Sequence, residues 1–278
     1  MPFVTTKETL EKAEKEKYAI GAFNAENMEM AQAIIAAAEK MGSPVIVQTT
    51  PGTLRYAPPA VFAGMVRALA ERSPVPVSLH LDHGNSIELV KECIKCGYTS
   101  VMIDGSLLPF EENVEITRGA VLLAGDIPVE AELGTVGGKE DGHAAGTAYT
   151  DPDQAEEFVR RTGVFSFAPA IGTAHGIYKE KPRLDLDRLT SVASRVSVPL
   201  VLHGTSGVPD DTVRECIARG IRKVNYATDL RAAFTGALRS SLAENAALDP
   251  KKHLAYAREA VEKRVCELMA VCGCAHKA

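Results

Sequence analysis

The chain has no apolar run long enough to cross a bilayer, no block of basic residues and no repeated cysteine doublet. Each absence removes a class of protein. A membrane-spanning helix needs about 20 consecutive apolar residues, so none is expected. A formal net charge of -5 without a basic run argues against nucleic acid or an anionic membrane as partner, although a local basic or backbone-amide site can still hold a small anion. The opening MPFVTTKETLEKAEKEKYAI lacks the basic and apolar regions of a secretory signal, which makes the cytoplasm the expected location. The six cysteines (Cys93, Cys96, Cys216, Cys266, Cys272 and Cys274) stand apart or as CIKC and CGC. A zinc ribbon needs a second C-x-x-C at domain spacing, so free thiols are expected.

What is present is a regular alternation. Apolar runs of strand length recur about every 20 to 35 residues with helical patterns between them. The runs are 18–24, 44–50, 75–83, 99–104, 127–133, 164–173, 198–204 and 221–228. The intervening stretches include 27–42, 85–97 and 209–220, which open on Asn, Asp or Pro and close on Gly, as helix caps favour. Near-continuous apolar strands alternating with helices call for a parallel sheet covered by helices, and eight such units fit the α/β class in its closed (β/α)₈ form, the TIM barrel. At 278 residues and 46% hydrophobic, with no linker or low-complexity segment, residues 1–278 are expected to form one barrel domain with 229–278 as a C-terminal helical extension.

A barrel of this kind keeps its active site at the carboxyl ends of the strands. Polar residues collect at those ends: Asn24, Thr50, Asp82 and His83, Asp104, Glu132, His175, His203 and Asn225. His83, His175 and His203 can converge there. Neutral imidazoles are common ligands of catalytic zinc, and three of them leave the ion its full charge and an open position; a histidine hydrogen-bonded at a barrel mouth is the plain alternative for each taken singly. His80, two residues before Asp82 on the same strand face, is expected to support the site rather than bind metal. His143, His253 and His276 sit in polar sequence and are expected in solvent.

Two glycine-rich patterns accompany the histidines. GTAHG (172–176), HGTSG (203–207) and NYAT (225–228) follow the sixth, seventh and eighth strands, where barrels frequently bind phosphate through backbone N–H groups. ELGTVGGKEDGHAAGTAYTDP (132–152) is a connection long enough to signal a lid carrying Glu140, with a solvated turn as the other reading.

HLDHG, SVMIDGS, VEAELGTVGGKEDG, AIGTAHGIYK, LVLHGTSG and KVNYATDLR, in this order and at about this spacing, resemble the class II zinc-dependent ketose-bisphosphate aldolases, from about residue 3 to the closing CGC. The resemblance implies a (β/α)₈ barrel and the reversible cleavage of a phosphorylated ketohexose into dihydroxyacetone phosphate and glyceraldehyde 3-phosphate. It implies zinc on His83, His175 and His203, with Asp104 and Glu132 able to hold a second or displaced divalent ion. It further implies proton transfer at the C4 hydroxyl by Asp82, protonation of the enediolate carbon by Glu140, and a dihydroxyacetone phosphate site at Gly176, Gly204, Ser206, Asn225 and Thr228, with Thr205, Tyr226, Asn24 and Thr50 also among the substrate- and phosphate-binding residues and Ala227 near the C4 end. Gly172 and Lys179 match the surroundings of a monovalent cation, Na⁺ or K⁺. TTPGT (49–53) and Ala227 resemble the tagatose-bisphosphate branch, whereas Tyr178-Lys179 resembles fructose-specific members. DPKKH (249–253) carries Lys251 where the family commonly has an arginine that reaches the distal phosphate, which leaves Arg231 as the candidate for that phosphate. A homo-oligomer, dimer or tetramer, is implied, and the tagatose branch also raises a non-catalytic partner subunit or a non-catalytic barrel.

Overall fold

The computed structural model describes residues 2–140, 143–145, 148–178, 180 and 182–278, and of 139, 140 and 143–145 the backbone alone. The strands among them are β1 (Ile20–Asn24), β2 (Val45–Thr49), β3 (Val77–Gly84), β4 (Ser100–Ile103), β5 (Val129–Leu133), β6 (Gly137–Glu140), β7 (His143–Ala145), β8 (Ser166–Pro169), β9 (Ala174–His175), β10 (Leu200–Leu202) and β11 (Ile221–Tyr226). Eight of them close into a parallel barrel in the order β1-β11-β10-β8-β5-β4-β3-β2. Each of the eight apolar runs read from the sequence overlaps one barrel strand, seven containing theirs whole and 75–83 stopping one residue short of the end of β3. The reason is burial on both faces: β1, β2 and β5 are buried at every position, so they lack the polar alternation of a half-exposed strand.

Helices cover the outside. They are α1 (Thr6–Glu16), α2 (Met28–Met41), α3 (Pro51–Tyr56), α4 (Pro59–Ala70), α5 (Ile87–Cys96), α6 (Phe110–Ala124), α7 (Pro152–Thr162), α8 (Leu186–Arg195), α9 (Asp210–Ala218), α10 (Thr228–Glu244) and α11 (Pro250–Cys272). Capping follows the sequence at α2, where the Asn27 side chain accepts from the Met30 amide and Gly42 closes the helix in the left-handed conformation. At α5 the cap is Ser86, one residue beyond the expected Asn85. The C-terminal extension is two helices, and α11 packs along α2 and α10. His253 corrects an expectation at this junction. It is buried, Nδ1 shares a 3.0 Å hydrogen bond with Ser241 Oγ, and Nε2 lies 2.7 Å from the Ala247 carbonyl, so it ties the α10–α11 turn instead of facing water. His276 is exposed as expected. All six cysteines are free thiols, and no helix among the described residues is long and apolar enough to cross a membrane.

The barrel interior is polar for two layers rather than one. Beneath the strand ends, Gln48, His80, Ser100, Glu130, Ser166 and Lys223 are all buried and point inward. Register places Gln48 beside His80, His80 beside Ser100, and Glu130 beside Ser166. Within the segment read as a lid or a turn, β6 and β7 form an antiparallel ribbon, and β6 pairs in parallel with β9, the strand that carries His175.

Candidate active site and metal centre

Each histidine reaches the mouth by a different device. His83 is the next-to-last residue of β3, where the β3–β4 register shifts between Leu81 and Gly84, and its backbone takes φ 48°. A non-glycine residue in the left-handed region is uncommon and is held only by its surroundings, which turn this side chain out of the strand's ordinary alternation. His203 follows β10. His175 lies on β9 and is delivered by the small sheet: Gly138 of β6 pairs with it, and Gly138 has φ 95°. A Cβ at Gly138 would fall against the backbone N, C and O of His175, so only glycine permits this approach. If the three histidines hold a divalent ion, Gly138→Ala is expected to weaken its binding at least tenfold, with a stability loss of about 1–3 kcal/mol. Unchanged zinc affinity in a competitive titration would contradict this role for β6.

The three rings stand at right angles, with centroids 4.6 Å apart for His83–His203, 5.0 Å for His83–His175 and 6.3 Å for His175–His203. One nitrogen of each lies within 4.8 Å of the others, and a second group, His83, Asp104 and Glu132, meets the same criterion. Hydrogen bonds fix the tautomers. His83 Nδ1 is 2.7 Å from Asp104 Oδ2, and His203 Nε2 is 2.8 Å from Glu130 Oε1. A carboxylate accepts, so each ring donates through that nitrogen. The other nitrogens, His83 Nε2 and His203 Nδ1, then turn their lone pairs toward each other across 2.8 Å. That contact is repulsive by itself and favourable with a cation against both, and ligand histidines are ordinarily backed by carboxylates in this way. The residues present therefore fit a divalent metal ion.

The charge state of the shell agrees. Burial drives the His203 pKa down, and this outweighs the Glu130 hydrogen bond, so the ring is neutral. Burial raises Asp104, but the hydrogen bond from the His83 ring, with bonds from Ser106, holds its carboxyl below the ordinary range. Burial likewise favours the protonated form of Glu130, yet the Lys223 ammonium and the His203 hydrogen bond keep it ionised. Lys223 Nζ lies 2.9 and 3.1 Å from the two Glu130 oxygens, and both side chains are almost wholly buried. His80, as expected, is a supporting residue: Nδ1 lies 2.8 Å from Ser100 Oγ and Nε2 is 3.8 Å from Glu130.

Asp82 sits beside the histidines under a ring of amides. Asn24 and Gln48 donate to Oδ2 at 3.2 and 3.1 Å, and Asn225 donates to Oδ1 at 3.1 Å. The acid is thus held by three neutral donors from three other strands, and among the described residues no cation lies within hydrogen-bond distance of it. Asn225 Oδ1 is buried without a hydrogen-bond partner among the described residues, an acceptor facing the cavity. That cavity is lined by Asp82, His175, Gly176, Gly204, Ser206 and Thr228, with Asn24, Thr205, Asn225, Ala227 and Arg231 completing it. Gly204 has φ 62°, and a Cβ there would meet the Ala174 backbone, so the sixth and seventh loops touch through glycine. Tyr178 Oη locks the same loops, accepting from the Ala174 amide at 2.7 Å and donating to the Gly204 carbonyl at 2.8 Å.

Several other residues named from the sequence lie elsewhere. Tyr226 is corrected: it turns away from the cavity, stacks on Phe23 at 5.7 Å and approaches Cys272. Thr50 lines neither the cavity nor the histidine cluster but caps α3. Arg231 lines the cavity with the glycine loops, its Nε and Nη2 2.7 and 2.6 Å from Glu26 Oε1, and Glu26 Oε2 accepts from Thr53 at 2.5 Å. Lys251 lies in the first turn of α11, paired with Asp249 at 2.9 Å. Gly172 takes φ 104° beside the Arg183 carbonyl. Lys179 and the Glu140 side chain lie outside the described residues. Glu130, Lys223, Gln48 and Tyr178 were not singled out as parts of the site. The available signal was period two: Glu130 and Lys223 stand two residues before Glu132 and Asn225 on the same strands.

Eight parallel strands around three histidines that could hold a metal ion, with an acid and glycine loops beside them, are the framework of a barrel aldolase. Residues 4–277 match the family described as fructose-bisphosphate aldolase class-II, and the chain belongs to this family, whose members are lyases typically dependent on zinc. The D-tagatose-1,6-bisphosphate aldolase subunit GatY of Klebsiella oxytoca is 42% identical over 280 residues, covering 99% of either chain. Among solved structures, the YdjI aldolase of Escherichia coli K12 superposes with a TM-score of 0.90 at 37% identity, covering 99% of both chains. A putative fructose-1,6-biphosphate aldolase from Coccidioides immitis superposes with a TM-score of 0.89 at 30% identity, covering 97% of this chain and 96% of that one.

Proposed function

We propose that this aldolase is zinc-dependent and cleaves D-tagatose 1,6-bisphosphate reversibly to dihydroxyacetone phosphate and glyceraldehyde 3-phosphate. The observation that carries the reading is the pair of imidazole lone pairs aimed at one point, His83 Nε2 and His203 Nδ1, beside an acid held by neutral amides. The chemistry a bound ion supplies there is polarisation of a ketose carbonyl and stabilisation of the negative charge left when C3–C4 parts. The chain's own residues do the rest. Asp82, with its oxygens aimed by Asn24, Gln48 and Asn225, takes the proton of the C4 hydroxyl and returns it in condensation. Asn225 Oδ1 accepts from a substrate hydroxyl. Gly176, Gly204, Thr205, Ser206 and Thr228 receive the phosphate of the dihydroxyacetone half, at the start of the 17-residue helix α10, whose N-terminus favours an anion. Glu140 protonates the carbon of the triose enediolate.

The sugar is assigned from GatY and from Ala227, a short side chain on the cavity wall. Tyr178 favours a second reading, fructose 1,6-bisphosphate by the same mechanism. The proposal extends to a second divalent position at His83, Asp104 and Glu132, which share atoms within 4.8 Å. It also includes a monovalent cation near Gly172 and Lys179 and a cytoplasmic homo-oligomer, with or without a partner subunit.

The test is cleavage of both bisphosphates by purified protein. Activity abolished by a chelator and restored by zinc, with kcat/KM higher for the tagatose epimer, is the expected result. Turnover by rigorously demetallated protein would overturn the zinc reading, and a higher kcat/KM for fructose bisphosphate would reassign the sugar.

A further inference from the structure

We infer that Arg264, on α11 and outside the cavity, is a positioning residue that acts through Asp229: it cancels a carboxylate that would otherwise compete with a bound phosphate for the N-terminus of α10. The inference rests on the phosphate site proposed above. α10 begins without a cap of its own, because Ala227 stands at the N-cap position and has no side-chain acceptor. Ser206 supplies one from the loop after β10, its Oγ accepting from the Asp229 amide at 3.2 Å. A hydroxyl that accepts there keeps its own hydrogen to donate, and Ser206 lines the cavity. Loop and helix are thereby stitched together where the anion is received.

The same stitch brings a carboxylate close. Asp229 is the second residue of α10, directly after Thr228 of the cavity wall, and its side chain is largely buried. An acid in the first turn is attracted by the helix N-terminus just as a phosphate is, so the two anions draw on one source and repel each other. The charged groups that line the cavity do not offset this. Asp82 is a further acid, and the Arg231 guanidinium is engaged by Glu26 at 2.6 Å. The counter-charge comes from α11. Arg264 Nη2 and Nε lie 2.9 and 3.3 Å from Asp229 Oδ1, and no other cation among the described residues lies at salt-bridge distance from that carboxylate. Glu267 holds the far side of the same guanidinium at 3.0 Å. Asp229 Oδ2 is buried without a hydrogen-bond partner among the described residues. Removing Arg264 therefore leaves a buried, uncompensated negative charge beside the phosphate site.

The experiment is calorimetric titration of inorganic phosphate into zinc-loaded and metal-free wild type, Arg264→Gln, Asp229→Asn and the double variant, with KM and kcat for the bisphosphate that wild type cleaves. Arg264→Gln is expected to weaken phosphate binding about 5- to 20-fold, the scale of repulsion between a carboxylate and a nearby dianion. KM rises with it while kcat stays within about threefold, the mark of lost uniform binding. Asp229→Asn binds phosphate at least as tightly as wild type, and combining it with Arg264→Gln restores the affinity to within about threefold. A pair that merely braced the helix would be broken by either single change and not mended by both, so equal weakening in all three variants overturns the inference, as does unchanged affinity in Arg264→Gln. If Arg264→Gln fails to fold, Asp229→Asn decides: retained affinity supports the inference and lost affinity overturns it. Wild type that binds no phosphate in either metal state overturns the phosphate site itself, and this inference with it.

Discussion

Asp82→Ala is expected to lower kcat by about 10³- to 10⁴-fold while zinc remains bound at full stoichiometry, the upper range for loss of a positioned acid–base group. The two readouts separate because Asp82 is not one of the three histidines that face the metal position, although it stands beside them. Removing the carboxylate also frees Asn24, Gln48 and Asn225, which donate to it, so the alanine variant alone could lose activity through their rearrangement. Asp82→Asn controls for this, since it keeps the shape and loses the base. Both variants are expected to retain solvent exchange of the dihydroxyacetone phosphate carbon-bound proton, the step assigned to Glu140. Steady-state cleavage, metal analysis and proton exchange together check the prediction. An Asp82→Asn enzyme within tenfold of wild-type turnover would remove Asp82 from the mechanism.

The second large effect concerns a pair that never touches substrate. Glu130→Gln leaves an acceptor for His203 but deprives the Lys223 ammonium of its counter-charge in a fully buried site. Breaking one partner of a buried pair costs about 3–5 kcal/mol, so a large fall in the midpoint of urea unfolding is expected. Loss of the carboxylate behind a ligand histidine typically weakens metal binding 10–100-fold. The double variant Glu130→Gln/Lys223→Met separates the two effects. It removes the orphaned charge and regains much of the stability, but it does not restore the carboxylate that fixes the His203 tautomer. Zinc affinity is expected to remain weakened in the double variant, measured against a chelating indicator. Recovery of affinity together with stability would show that Glu130 acts only by neutralising Lys223.

The barrel was legible because its strands are buried on both sides. VPVSLHLDH and VPLVLHG read as unbroken apolar runs, and the residues that end them are the ones the geometry brings together. The deeper polar layer was illegible for the same reason. In VEAEL and IRKVNY, Glu130 and Lys223 interrupt apolar runs, and their mutual pairing across β5 and β11, with the His203 bond to Glu130, makes them tolerable inside. The ribbon of β6, β7 and β9 was missed because strands of two to four residues rich in Gly and Ala carry neither β-branched enrichment nor alternation. Tyr226 was drawn into the phosphate site by its neighbours in NYAT, although adjacent residues on a strand face opposite ways. His253 looked solvated amid DPKKH because the turn that buries it is made by contacts outside that motif.

The pairing of Gly138 with His175 has a kinetic consequence. Two of the imidazoles are mounted at barrel strands, while the third stands on a ribbon that pairs with its own strands rather than with the barrel. An ion held by all three is released most easily by detaching that third arm, so its residence time is set by the fraying of a short ribbon and not by the much slower unfolding of the barrel beneath it.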